Sequence, residues 1–389
     1  MEPYVKVSQK YVRGMELALV AVSLTIGLLL MELAVRYLPF GDKMGWSMVP
    51  SVPERVAETG VAVPGKVRIL VLGDSMTEWR DNTGESYVRI AERILSSIQV
   101  VNLAEGGTDL PSYLSNLLRF GEQLRPDLIL IGLYLGNDLI PSTAPLESAS
   151  IQSALKALPA PSQELTLTRL AKRSVLLNYL FRLGKIYVPA LRSGSFEQLV
   201  RHLQAKTGTD DAYVARRLSE ADPALVDAAR ADAINGWDLA FAIFDPDYYG
   251  DLAAADSSTS KGKEVERALG DLRTLVNAAR AQNANVAVVL LPPPVWVAER
   301  YWFYFKRLGY RELGPISGPV PLVERVKAYL SAEGVPVLDV LPALRADAES
   351  TYLENDIHLN RRGHYVVGRE LASFLVREGF VRGKAPPPE

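Results

Sequence analysis

The chain predicts an α/β fold, a doubly wound parallel sheet flanked by helices, and three observations carry that prediction. Apolar runs of strand length, largely branched, recur along the sequence and read as strands buried on both faces. Amphipathic segments of helical length alternate with them. Polar, glycine-containing clusters follow the runs, at the carboxyl ends of strands where open α/β sheets bind ligands.

The N-terminus precedes that pattern. Lys6, Lys10 and Arg13 lead into an apolar segment over 15–38, which Glu16 borders and Glu32 interrupts. Its uncharged part, Leu17 to Met31, spans about 22 Å at roughly 1.5 Å per residue. That falls short of the roughly 30 Å hydrocarbon core, and the turn through Val35 supplies the missing length. Glu32 and Arg36 are four apart and can pair near the interface. The segment reads as a single-pass transmembrane anchor in the cell membrane. The preceding cations place a tail over 1–14 in the cytoplasm and the remainder outside it. A cleaved signal peptide is the rival reading, but no small-x-small site follows the run; a buried helix of a soluble domain is the other. Residues 39–65 carry Pro39, Gly41, Gly45, Pro50, Pro53, Gly60 and Pro64 with little periodicity, and read as a linker.

The main domain spans 66–380. Strands are expected at 67–72, 98–103, 127–134, 285–291 and 335–340, and helices at 84–97, 111–124, 262–283, 320–333 and 361–378. Between about 141 and 261 no comparable strand occurs, only sequence rich in Ala, Leu and Arg. A structureless loop of that length is improbable in a compact domain. It reads as a helical insertion over the carboxyl edge of the sheet, lid-like, choosing substrate and adding little to the core. A Pro-rich tail over 381–389 reads as disordered.

With 389 residues, of which 48% are hydrophobic, the chain can hold one large domain with an insertion or two ordinary domains. A net charge of −2 argues against a nucleic-acid partner. The absence of cysteine excludes disulfides, thiolate metal sites and a Cys nucleophile.

Val67 to Thr77, VRILVLGDSMT, stops abruptly at Gly73-Asp74-Ser75. Ser75 therefore falls at a strand's carboxyl end, either as a nucleophile or as a helix cap. A serine nucleophile needs a base, a group to orient that base, and donors for an oxyanion. The chain has three histidines. His202 lies in a polar stretch of the insertion and reads as a surface residue, and His364 lies inside the last helix, where packing suits it. His358 lies in the polar loop YLENDIHLNRRGH before that helix, and Asp356, two residues earlier, can reach the other ring nitrogen from the same loop. After the second strand, Gly106 and Gly107 let backbone N–H groups approach a ligand. After the third, Asn137 can offer its side-chain amide to the same point. Asp74 and Asp138 suit turn and cap roles. An aromatic cluster, Trp296 with Tyr301 to Phe305, fits a substrate pocket, core packing or contact with a membrane surface.

These blocks resemble the SGNH (GDSL-type) hydrolase superfamily over about 66–140 and 285–380, which implies an SGNH or flavodoxin-like fold. The resemblance implies Ser75 as nucleophile, with its own N–H in the oxyanion hole beside Gly107 and Asn137, and His358 as base. Two positions depart from the family pattern. Leu135 stands where G-x-N-D has its first Gly, and Asn355 where D-x-x-H has its Asp. Membrane-anchored relatives acting on bacterial polysaccharides show a D-x-H spacing, so the orienting role passes to Asp356. The implied function is a serine esterase working through an acyl-enzyme on an extracytoplasmic acylated carbohydrate or lipid, with no cofactor and no metal. An O-acyltransferase for a cell-surface polysaccharide would use the same residues. A catalytically silent binding module on this fold is the competing class. A nucleotide-binding protein lacks support, for no glycine-rich phosphate loop is present.

Overall fold

A computed structural model describes residues 22–31, 52–78, 85–140, 195–231, 234, 236–311, 318–347 and 349–382. The chain divides into two units, residues 1–48 with 163–184 and residues 49–162 with 185–389. In the first, residues 22–31 are described; they are helical and leave Leu24, Ile26, Leu28 and Leu30 exposed. Among the described residues no helix is long and apolar enough to cross a membrane. The remainder of the span expected over 15–38, the tail over 1–14 and the insertion through residue 194 lie outside them.

The second unit opens with α1 (Val52–Thr59), β1 (Val67–Gly73), α2 (Ser75–Glu78) and α3 (Tyr87–Ile94). Then come β2 (Ile98–Asn102), α4 (Leu110–Leu124) and β3 (Leu128–Tyr134). Helices α5 (Ser195–Thr207), α6 (Asp211–Glu220), α7 (Pro223–Arg230), α8 (Gly236–Phe244) and α9 (Tyr248–Ala254) follow. Helix α10 (Ser260–Arg280) leads into β4 (Asn285–Leu291). The rest is α11 (Pro294–Val297), α12 (Glu299–Arg307), α13 (Pro321–Ala332), β5 (Val337–Asp339), α14 (Leu341–Ala346) and α15 (Arg361–Arg377).

All five strands run parallel in the order β2-β1-β3-β4-β5. Nearly every residue of β1 to β4 is buried, because the helices cover both faces; α3 packs on α15, and α4 on α10. Branched apolar residues suit a strand that meets helices on either side. In this order the chain leaves β1 for β2 on one side and returns to β3 on the other. The carboxyl ends of β1 and β3 therefore flank the crevice where connections diverge, the usual ligand site of such sheets. Gly73 and Gly132 pair across it.

Three expectations need correction. The linker over 39–65 contains α1, whose Val52 and Val56, four residues apart, turn inward while Arg55 is almost wholly buried. The insertion is helical where it is described, but it is no detachable lid. Helix α8, GWDLAFAIF, is apolar nearly all round, so it has to be buried. Leu239, Ala240, Ala242 and Ile243, with Leu252 of α9, join the same hydrophobic core as the sheet. The first residue of the tail expected over 381–389 belongs to the folded unit: Val381 is buried and its N–H reaches the Leu375 carbonyl, while 383–389 lie outside the described residues.

Candidate active site

Strand β1 ends in a turn that needs glycine. A Cβ on Gly73 would stand 2.5 Å from Thr77 Oγ1 and 3.0 Å from the Gly132 carbonyl oxygen. Asp74 follows as a cap, its Oδ1 accepting the Met76 N–H at 2.9 Å and its carbonyl accepting from Thr77 and Glu78. Ser75, the first residue of α2, is thereby held at the carboxyl edge, and Thr77 is pinned by Tyr87 at 3.0 Å.

The facing loop is a hairpin-like excursion between Thr351 and Asn360. Tyr352 pairs antiparallel with Leu359, the Leu353 N–H donates to the His358 carbonyl, and the Asn360 N–H to that of Thr351. From below, Tyr301 Oη accepts the N–H groups of Thr351 and Tyr352, while Tyr352 donates its hydroxyl to the Pro292 carbonyl at 2.6 Å. Asn360 then caps α15 through the Gly363 N–H. At the tip Asn355 takes φ +60°, a left-handed conformation that Asn tolerates better than most residues. Asn355 shapes the turn, and that leaves Asp356 to face the ring.

The result is a continuous chain. His358 Nε2 stands 2.8 Å from Ser75 Oγ, and His358 Nδ1 stands 2.5 Å from Asp356 Oδ1, which also accepts the His358 N–H at 3.0 Å. Burial alone would raise the Asp356 carboxyl, but the charge and hydrogen bonds of His358 hold it below its ordinary value. Burial alone would lower the His358 ring, yet Asp356 foremost, then Asp74 and Asp238, keep it above its ordinary value. Burial pushes Asp74 up to about 6 against the Met76 N–H, His358 and the Asn137 amide. Burial, with the charge of Asp356, pushes Asp238 up to about 8. Burial thus holds Asp238 toward its protonated form, and Asp356 is the carboxylate bonded to the imidazole.

The other two sequence candidates stand beside Ser75 by their neighbours. Gly106 packs so close that a Cβ there would lie 3.4 Å from that of Ser75. Gly107, the next residue, takes φ +75° and faces open space. Asn137 lies against Asp74, with its Oδ1 buried and without a partner among the described residues. Leu135, at the family's first Gly position, is buried and bonds back to β4, while Gly136 has no room for a Cβ beside the Tyr134 ring. Asp138 closes that turn, accepting from the Tyr134 N–H and the Tyr113 hydroxyl.

The remaining histidines fall elsewhere: His202 is exposed, and His364 is buried and stacked against Tyr87. Most of the aromatic cluster is core, with Phe303 exposed. Three neighbours of the site escaped the sequence reading. Asp238 could have been noticed as the lone carboxylate of an apolar helix. Arg55 and Glu78 gave no signal in composition or spacing.

No family model matches the chain, and no curated protein matches it. Among solved structures it is similar to the lipase/acylhydrolase from Enterococcus faecalis, at 12% identity over 80% of this chain and 96% of that one, TM-score 0.37. A GDSL-like lipase from Bacteroides thetaiotaomicron matches at 11% identity over 84% and 97%, TM-score 0.37. A catalytic mutant of an acetylxylan esterase from Geobacillus stearothermophilus matches at 12% over 83% and 100%, TM-score 0.37. Likenesses this distant carry no functional weight, and the chemistry has to be read from the chain's own side chains.

Proposed function

We propose that this chain is a serine esterase of the SGNH type, cleaving acyl or acetyl esters through an acyl-enzyme on Ser75. One observation carries the reading: the uninterrupted hydrogen-bond chain from Ser75 Oγ through His358 to Asp356. In the proposed reaction Ser75 Oγ attacks the ester carbonyl carbon as His358 Nε2 takes its proton. Asp356 holds the Nδ1–H tautomer and stabilises the imidazolium. The N–H groups of Ser75 and Gly107 and the Asn137 amide receive the oxyanion. His358 then protonates the leaving alcohol, and water attacks the acyl-enzyme with the same residue as base. Burial holds Asp238 toward its protonated form, so the imidazolium is matched chiefly by the Asp356 carboxylate bonded to it.

The same proposal takes in location and substrate. The cations ahead of the apolar segment over 15–38 support a membrane anchor with the catalytic unit outside the cytoplasm, and an acylated carbohydrate or lipid as the substrate class. Turnover of p-nitrophenyl acetate by the full chain and by Ser75→Ala tests the chemistry. Hydrolysis that disappears in the variant supports it; equal rates in both, or none in a folded native chain, would favour the silent binding module.

A further inference from the structure

The loop between β2 and α4 is tied down peptide by peptide just before Gly107. Asn102 Oδ1 accepts the Ala104 N–H at 2.9 Å, and Arg55 Nη2 donates to the Ala104 carbonyl at 2.6 Å. The Glu105 N–H donates to the Gly73 carbonyl at 2.9 Å, and the Gly106 N–H to Glu78 Oε2 at 2.7 Å. The next N–H in the run belongs to Gly107 and enters none of the described hydrogen bonds. Arg55 also pairs with Glu78 Oε1 at 3.2 Å. Glu78 is the last residue of α2, the helix that begins with Ser75, so one carboxylate joins the serine's helix to the glycine loop.

We infer that Glu78 and Arg55 are positioning residues that hold the Gly107 N–H toward Ser75, an inference resting on the esterase reading above. Glu78 supplies the acceptor that anchors Gly106. A bare carboxylate there would oppose negative charge developing on the substrate oxygen, and Arg55, nearly all buried, compensates it. Helix α1 thus completes the site from outside the sheet. Oxyanion donors act through placement, and a displacement of about 1 Å can cost on the order of 100-fold.

The test uses the purified full chain with Glu78→Ala, Glu78→Gln, Arg55→Ala and the double alanine variant. Turnover of p-nitrophenyl acetate is read beside amide hydrogen exchange over 103–108. Each alanine variant should lower kcat by about 10- to 100-fold with KM little changed, and exchange over 103–108 should quicken. The double variant should be no slower than Arg55→Ala, since removing the carboxylate also removes the charge that Arg55 offsets. Glu78→Gln, which keeps an acceptor oxygen, should lie between native and Glu78→Ala, and it serves if the alanine variant fails to fold. Native kcat in folded single variants, losses that multiply in the double, or unchanged exchange over 103–108 would overturn the inference. Should the native chain show no Ser75-dependent turnover, the esterase reading fails, and exchange alone then decides whether Arg55 and Glu78 hold the loop.

Discussion

His358 Nε2 lies 2.8 Å from Ser75 Oγ although 283 residues separate them in the chain. The contact exists because β1 and the loop after β5 both open on the carboxyl edge of one parallel sheet. A separate local device, the Asp356-x-His358 spacing with Asn355 in a left-handed turn, sets the ring's other nitrogen.

Asp356 is the orienting acid on this account. Asp356→Asn should lower kcat by roughly 10²–10⁴, whereas Asn355→Ala should cost about tenfold or less. The variant should also shift the pH profile. Asp356 holds the His358 ring above its ordinary value near 6.5, so the acid limb of kcat/KM in the native chain should lie above that value and fall in Asp356→Asn. An unmoved limb with near-native turnover would place the acid elsewhere.

Asp238 should act on stability with a definite sign. Its carboxyl is raised to about 8 by burial and by Asp356. The native state then binds a proton that the unfolded chain has lost, so stability drains away as pH rises from the ordinary carboxylate range through about 8. Asp238→Asn mimics the neutral acid. Its Tm relative to the native chain should rise from pH 5 to about pH 8 and level off above that; parallel Tm curves throughout would mean that Asp238 does not titrate in this range.

The insertion should behave as core. Leu239 is fully buried, and Leu239→Ala should cost about 2–5 kcal/mol in denaturant unfolding. A loss within about 0.5 kcal/mol would restore the detachable-lid picture.

Much of this architecture was legible because its causes are local. Val67–Gly73 and Asn285–Leu291 are apolar runs that only a doubly covered sheet can use, and they form β1 and β4 as read. Ser75 stood out because it lies just beyond such a run, and Asp356 and His358 because they share a polar loop just before the last helix; the structure brings the three within hydrogen-bond reach. Arg55 did not stand out, because a charged residue in a segment rich in Pro and Gly looks solvated until its partners, Glu78 and Ala104, are seen beside it. The core role of α8 was missed for a related reason: composition shows that a helix is apolar but not which surface it meets.

Membrane attachment is a separate expectation. Protease added to intact spheroplasts should digest the unit that holds Ser75, and the digestible chain should sediment with membranes. Full protection would reverse the proposed orientation, and release of a shortened soluble chain would indicate signal cleavage.

If Ser75 is an activated nucleophile, a fluorophosphonate probe detects that state directly. The intact mass of the native full chain should rise by a single phosphonyl adduct, and peptide mapping should place it on Ser75. Ser75→Ala should take up none, and His358→Ala should react far more slowly, since nothing then removes the hydroxyl proton. A folded native chain that stays unlabelled, or an adduct that maps to a different serine, would contradict the account.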